Sequence, residues 1–326
     1  MSAPSDVAGD TRPGRIIAAH GRRVLVGDDT GVHSCRLFGR RLSAVCGDRV
    51  RWVGAAAEGA SGLVVAVEPR RSELARISQS GAPEVVVANL DQLVAVLAPV
   101  PAPDFTLCDR YLAAAEWAGL SAAIALNKSD LPGSADAAIR AELETYRKLG
   151  YPVVLTSKRL DDSAAGLRGL LRGRISVLVG QSGVGKSSLI NLLVPGVEAE
   201  VREISRATEE GRHTTTASAL YRLPDGGDLI DSPGVRDFAP PLPAPRDVAS
   251  GFRELAAAGR DCRFPDCRHL GEPGCAVEPL AAAGAVSRRR LAAYRQLHKL
   301  ASDMEQKIRS SGRSGPRPRR GGRIRK

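Results

Sequence analysis

Short apolar runs, each broken by a glycine or a polar turn, open the chain. They cover Arg15–Ile17, Arg23–Gly27, Val32–Leu37, Asp48–Val53 and Gly62–Val67, with Asp28-Asp29-Thr30-Gly31 as the clearest turn. That rhythm predicts five short strands over 14–75. A small closed barrel of the five-stranded OB type accommodates them, and another small barrel or a hairpin sheet fits the pattern nearly as well. Met1 to Pro13 carries no periodic apolar pattern and is expected to be disordered. Glu68 to Pro83, with Arg70, Arg71 and Arg76, reads as a connector.

From Ala82 the period changes to alternating strand and helix. Val85–Val87 and Leu93–Leu97 are apolar β runs, Leu107–Gly119 a helix, Ala122–Leu126 a strand and Ala135–Leu149 a helix. Val153–Leu155, Ala165–Arg172, Ile175–Val179 and Lys186–Leu193 continue the alternation, and Leu220–Leu223 and Asp228–Ile230 add two further strands. Such alternation predicts a doubly wound, largely parallel α/β sheet over 82–240, with ligand loops at the carboxyl ends of its strands.

Those strand ends carry the chemistry. Ile175–Val179 feeds Gly180-Gln181-Ser182-Gly183-Val184-Gly185-Lys186-Ser187-Ser188, a G-x-x-x-x-G-K-[ST] phosphate cradle. Its glycines turn backbone N–H groups toward phosphate oxygens, Lys186 offsets their charge, and the Ser187 hydroxyl suits Mg²⁺. Ala122–Leu126 leads into Asn127-Lys128-Ser129-Asp130, an N-K-x-D guanine reader. An Asp carboxylate can accept from both the ring N1–H and the exocyclic amine of guanine. Thr156-Ser157-Lys158, one strand later, suits a backbone contact to guanine O6. In an ordinary GTPase the phosphate loop precedes the guanine reader. Here the order is reversed, and the domain reads as circularly permuted. Permutation is physically tolerable because the termini of a compact domain lie at its surface and often near one another.

Between the cradle and Asp231-Ser232-Pro233-Gly234 lies Gly211-Arg212-His213-Thr214-Thr215-Thr216, where a first switch belongs. Asp231 suits Mg²⁺ through water and the Gly234 N–H a γ-phosphate. One of Thr214, Thr215 and Thr216, with Thr215 favoured, would complete the Mg²⁺ shell. Val235 occupies the position where many regulatory GTPases keep a water-orienting glutamine, which leaves His213 as the candidate for that role; an exposed loop residue without chemistry is an equal reading. Beyond the sheet, Cys262, Cys267, His269 and Cys275 form C-x4-C-x-H-x5-C. Three thiolates and an imidazole make a closed, structural zinc set, against the alternatives of buried free thiols or a redox pair.

Composition narrows the partners. The 326-residue chain carries a formal charge of +11, and seven of those charges sit in 311–326 without an acid. The remaining +4 is ordinary for a body of this size. An arginine-rich tail points to nucleic acid, with a merely solubilising tail as the bland alternative. Aromatics make up only 4% of the residues, so base stacking on an aromatic platform is not expected. No signal-peptide pattern and no apolar stretch of ~20 residues is present, which implies a cytoplasmic protein without a membrane partner. Cys35, Cys46 and Cys108 read as ordinary core thiols.

The order N-K-x-D, G-x-S-G-V-G-K-S, G-R-H-T-T-T and D-x-P-G, with a small barrel before and C-x4-C-x-H-x5-C after, resembles the RsgA (YjeQ) family over about residues 14–300. The resemblance implies an α/β, circularly permuted P-loop GTPase domain at 82–240 with an OB-like barrel at 14–75. A zinc-binding, mainly helical domain at 241–310 and a basic tail at 311–326 outside the match complete the expected layout. It implies GTP/GDP with Mg²⁺ and one structural Zn²⁺ as cofactors, and a monomer that binds 16S rRNA. GTP hydrolysis stimulated by the 30S subunit during its late maturation is the implied activity. By motif match, guanine contacts fall on Asn127, Lys128 and Asp130, phosphate contacts on Gly180–Ser188, and zinc on Cys262, Cys267, His269 and Cys275. Lys158 departs from the Ser-Ala pairing common in GTPases. A GTP-ordered RNA-binding module with incidental hydrolysis is the rival reading, and an ATPase with a redox cysteine cluster is disfavoured by the Asn127 motif.

Overall fold

Alternation along the first strands turns one face inward, and five of them close on that face. The computed structural model describes residues 11–55, 60–78, 83–159, 164–196, 218–232 and 241–312. Strands β1 (Arg12–His20), β2 (Arg23–Asp28), β3 (Gly31–Leu37), β4 (Arg49–Val53) and β5 (Gly62–Val67) run in the order β1-β2-β3-β5-β4, and β4 pairs back onto β1. Ile16, Val24, Val26, Cys35, Val50, Trp52 and Val64 fill the interior. The β1–β4 pairing closes the barrel and removes the open hairpin sheet from contention. The first strand starts at Arg12, not residue 14, because Arg12–Arg15 pair with Trp52–Arg49 of β4.

The expected connector contains structure. Strand β6 (Glu73–Ile77) pairs antiparallel with β7 (Pro83–Ala88) as a separate two-stranded ribbon. The register shifts opposite Leu74 and Ala75, where Val86 of β7 is the extra residue, and the short Glu73-Leu74-Ala75-Arg76-Ile77 segment carries too few apolar residues to stand out as a strand. Val85–Val87 therefore belongs to this ribbon, not to the parallel sheet.

The α/β segment follows its expected rhythm. Strands β8 (Gln92–Leu97), β9 (Ser121–Leu126), β10 (Val153–Leu155) and β11 (Ile175–Val179) are parallel. Strand β12 (Ser218–Arg222) is antiparallel to β13 (Asp228–Asp231), which is itself parallel to β11. The sheet order is β10-β9-β8-β11-β13-β12. Every position of β8 and β11 is buried, as expected of parallel strands covered on both faces. One face packs Leu93 and Leu97 against Leu112 and Tyr146 of α1 (Phe105–Trp117) and α2 (Ala137–Lys148). The other packs Val94, Val96 and Leu178 against Leu167 of α3 (Ala165–Leu171) and Leu189 of α4 (Lys186–Leu193). Asp104 and Asp136 accept from Leu107 N and Ala138 N, which caps α1 and α2 and sets their starts.

Barrel and sheet are joined, where the pattern suggested two separate domains. Ala18 and Ala19 of β1 pair with Ala219 and Ser218 of β12, so one eleven-stranded sheet runs through both. Arg70 forks onto Asp48 at 2.8 and 3.0 Å, and Asn89 Nδ2 donates to Gly47 O at 3.0 Å. Met1–Pro241 accordingly forms one compact unit and Leu242–Lys326 a second. The second unit holds α5 (Arg253–Ala258), α6 (Val277–Ala282) and the long α7 (Arg288–Gly312). Arg290 of α7, 1% exposed, forks onto Glu254 at 2.5 and 3.1 Å over the Phe252 ring. Among the described residues no helix is long and apolar enough to cross a membrane.

Gly47 sits at the seam with φ +91°, and a Cβ there would lie 2.0 Å from the Ala88 carbonyl oxygen. Gly47→Ala is expected to cost at least ~2 kcal/mol through backbone strain and displacement of that seam. In a unit of this size that is a fall of roughly 4–8 °C in Tm, read by scanning calorimetry. An unchanged Tm would show that the seam is not rigid.

Candidate nucleotide pocket and metal centre

Parallel pairing brings the two recognition loops to the same edge. Gly180–Gly185 leaves the end of β11 and runs into α4, while Asn127–Asp130 leaves the end of β9; β8 lies between them. Gly183 and Gly185 take φ of +80° and +96°, conformations open to glycine at little cost. A Cβ on Gly185 would come within 2.4 Å of Asn127 Nδ2, so glycine is also what lets the loops touch.

They touch through hydrogen bonds. The buried Asn127 amide donates Nδ2–H to Val184 O at 2.8 Å, and Lys128 Nζ donates to Gly183 O and Val100 O, both at 2.7 Å. Ser157 donates its hydroxyl to Asp130 Oδ1 at 2.5 Å, and Arg159 lies 3.7 Å from Oδ2. The Ser157 bond first, with Arg159 and Lys158 adding positive charge, holds the Asp130 carboxyl below the usual carboxylate range. Asp130 is therefore ionised, the form that accepts two guanine N–H groups. Ser129 N bonds Thr156 O at 3.1 Å, tying the third loop into the same site. Lys158 is exposed beside it.

The cradle fits a polyphosphate. Ser182, Gly183, Ser187 and Ser188 are exposed on the loop and the first turn of α4, whose N-terminus favours anions. Lys186 folds over the loop, Nζ on Gly180 O at 2.5 Å and Gln181 O at 2.8 Å. Asp231 ends β13, the strand next to β11, and so lies on the cradle side of the sheet. His213, Thr215 (with Thr214 and Thr216), Gly234 and Val235 lie outside the described residues. Two contacts have no counterpart in the sequence pattern: the Val100 carbonyl holding Lys128, and Gln181 Oε1 accepting from Asp104 N at 2.9 Å. Val100 and Asp104 both sit in the proline-punctuated stretch between β8 and α1, where the only available signal was the spacing of Pro99, Pro101 and Pro103.

In the second unit Cys262, Cys267, His269 and Cys275 converge, their ligand atoms all within 4.8 Å of one another. His269 Nδ1 lies 3.6 Å from each of the three sulfurs. A tetrahedral ion with M–S of about 2.3 Å and M–N of about 2.0–2.1 Å requires an N···S spacing of about 3.6 Å. The four could hold a metal ion. Glu272 accepts from Leu270 N at 2.7 Å and Arg268 N at 3.0 Å, which organises the ligand loop. From α7, Tyr294 donates to Arg268 O at 2.5 Å and Arg295 to His269 O at 3.2 Å, holding the loop from the other side.

Fold and pocket together define a circularly permuted P-loop GTPase. A family model described as RsgA GTPase matches residues 67–240. "Small ribosomal subunit biogenesis GTPase RsgA" of Azotobacter vinelandii is 44% identical over 295 residues, covering 89% of this chain and 85% of that protein. The protein of the same name from Pseudomonas aeruginosa is 45% identical over 291 residues, again covering 89% and 85%. Among solved structures, the circularly permuted GTPase YloQ superposes with a TM-score of 0.70 at 27% identity, covering 93% of this chain and 99% of that one. YjeQ from Thermotoga maritima gives 0.69 at 27% identity, covering 90% and 99%. The chain belongs to the RsgA GTPase family and is a GTP-hydrolysing enzyme.

Asp130→Asn replaces an acceptor-only carboxylate by an amide that presents a donor to guanine. Losing two charge-assisted bonds of about 1.5–3 kcal/mol each should weaken GDP binding at least ~100-fold while leaving the fold intact. Titration calorimetry with GDP reads this directly, and retained affinity would remove Asp130 from the pocket.

Proposed function

We propose that this GTPase acts on the 30S ribosomal subunit during its late maturation, docking on 16S rRNA and hydrolysing GTP with stimulation by the subunit. The observation that carries the pocket is the pair of direct bonds from Asn127 to Val184 O and from Lys128 to Gly183 O. They support the reading of guanine selection and triphosphate binding as one site. The names of the curated relatives and the +11 charge support a ribosomal, polyanionic partner. We assign guanine to Asn127, Lys128, Ser129, Asp130, Ser157 and Lys158, and the phosphates to Gly180–Ser188 and Gly234. Lys186 offsets charge developing on the transferred phosphoryl group. Bound Mg²⁺ supplies further neutralisation of the β- and γ-phosphates. Ser187, Thr215 and Asp231 would hold it, directly or through water. His213 orients the attacking water, the aliphatic Val235 being unable to do so. Cys262, Cys267, His269 and Cys275 hold one structural Zn²⁺. The working form is a cytoplasmic monomer whose tail at 311–326 adds RNA contact.

Val235 also favours a second reading, an RNA-binding module ordered by GTP in which hydrolysis is incidental. Steady-state turnover with and without purified 30S subunits separates the two: strong stimulation supports the first, and GTP-dependent binding with unchanged turnover supports the second. His213→Ala should abolish most of the stimulated rate, by ~10²-fold or more, with GTP affinity retained. An unchanged stimulated rate would take His213 out of the reaction.

Cys275→Ser should release the metal. Elemental analysis is expected to fall from one zinc per chain to none, with a lower unfolding temperature for the second unit, since structural zinc contributes folding energy outright. Full zinc content in Cys275→Ser would reject the four-ligand assignment.

A further inference from the structure

Strand β1 changes partner halfway along. Its first half, Arg12–Arg15, pairs with β4 inside the barrel, and Ala18 and Ala19 pair with β12 of the GTPase sheet. A register shift against β2 falls between Ile16 and Ala18, where the exchange occurs. The strand thus belongs to both bodies at once.

What it holds on the GTPase side is the β12–β13 hairpin. This hairpin begins two residues after Thr216 in sequence and ends on Asp231. Ser218 and Ser232 hydroxyls lie 2.6 Å apart, and Ala219 is in register with Asp231. β1 grips the hairpin at both ends. Ala19 pairs with Ser218 at one end. At the other, Arg15 Nη1 reaches Asp228 Oδ2 at 2.9 Å, their side chains 30% and 12% exposed. Asp228 opens β13, three residues before Asp231. Arg222 also lies 3.9 Å from Asp228, but its side chain is 90% exposed and so contributes little. The partly buried Arg15 is the partner that matters.

We propose that β1 is a positioning element of the GTPase site. Through Arg15–Asp228 and the Ala18–Ala19 pairing it sets the hairpin that ends on Asp231, so that a load on the barrel alters nucleotide handling and nucleotide alters the barrel's grip. The coupling is reciprocal by linkage. It rests on the reading of Asp231 as a magnesium-side group and of the small subunit as the load.

The test uses the full chain with Arg15→Ala, Arg15→Lys and Asp228→Asn, and Arg76→Ala as a control that breaks only the exposed Arg76–Glu84 pair of the ribbon. Three quantities are read: hydrogen exchange of amides in 218–232, release of a fluorescent GDP analogue, and the ratio of 30S-stimulated to basal turnover. Arg15→Ala and Asp228→Asn should speed exchange in 218–232, leave β2 and β3 unchanged, and change GDP release. They should also lower the stimulation ratio roughly fivefold, the low end of ordinary coupling between sites. Arg15→Lys, which keeps the charge, should recover most of the ratio, and the control should match wild type. Two results overturn the proposal: faster exchange with both GDP release and stimulation ratio unchanged, or a loss spread evenly over the barrel as in simple destabilisation. A wild type that 30S does not stimulate would refute the functional reading alone, and GDP release from the variants would still decide the coupling.

Discussion

A single side-chain amide, Asn127 Nδ2–H donating to Val184 O, joins segments 57 residues apart and makes one pocket out of two loops. That bond exists because β9 and β11 flank β8 in parallel, with Leu97 level with Leu126 and Ala95 level with Val179. Parallel pairing aligns the carboxyl ends of the strands whatever order the chain visits them. Reversing the order of the two motifs along the sequence therefore costs the site nothing. It changes only what is tied to the ends of the domain.

At the front, the segment entering the sheet has already built a barrel and paired with β12; at the back, the chain leaves β13 after Asp231 and enters the second unit at Leu242. In an unpermuted arrangement the segment after D-x-x-G would continue into the sheet's own helices. Here it is the covalent link to a body organised around three cysteines and a histidine. Both neighbours of the nucleotide site thus connect through β12 and β13. That hairpin is one element that both share.

The sequence made the parallel sheet and its loops legible because their constraints are local. Gly183 and Gly185 need a left-handed backbone, Lys186 must follow, and buried strands such as β8 read as unbroken apolar runs. The cysteine and histidine spacing was equally direct. Pairing between distant strands has no comparable signature. Nothing in Arg15–Ile17 announces that Arg15 will meet Asp228, or that the strand will extend to His20 and share its edge with β12. The β6–β7 ribbon was lost for a different reason: β6 is five residues long with arginine and glutamate among them, and only its pairing with β7 reveals it. Val100 was invisible because its contribution is a carbonyl, and backbone acceptors leave no trace in residue identity.

Charge shows the same division between local pattern and tertiary outcome. In the barrel and the adjoining ribbon, arginines suggest a surface for polyanions, yet Arg15, Arg51, Arg70, Arg71 and Arg76 are all paired with carboxylates. In the second unit Arg290 and Arg295 are likewise committed to Glu254 and Glu278. A guanidinium already forked onto a buried acid, as Arg70 is on Asp48, would leave that carboxylate uncompensated if it turned to a phosphate. Of these, the buried forks of Arg70 on Asp48 and Arg290 on Glu254 hold the architecture, while the half-exposed pairs of Arg51, Arg71 and Arg76 contribute little. A polyanionic partner of the kind proposed above would have to be met by other cations of the chain.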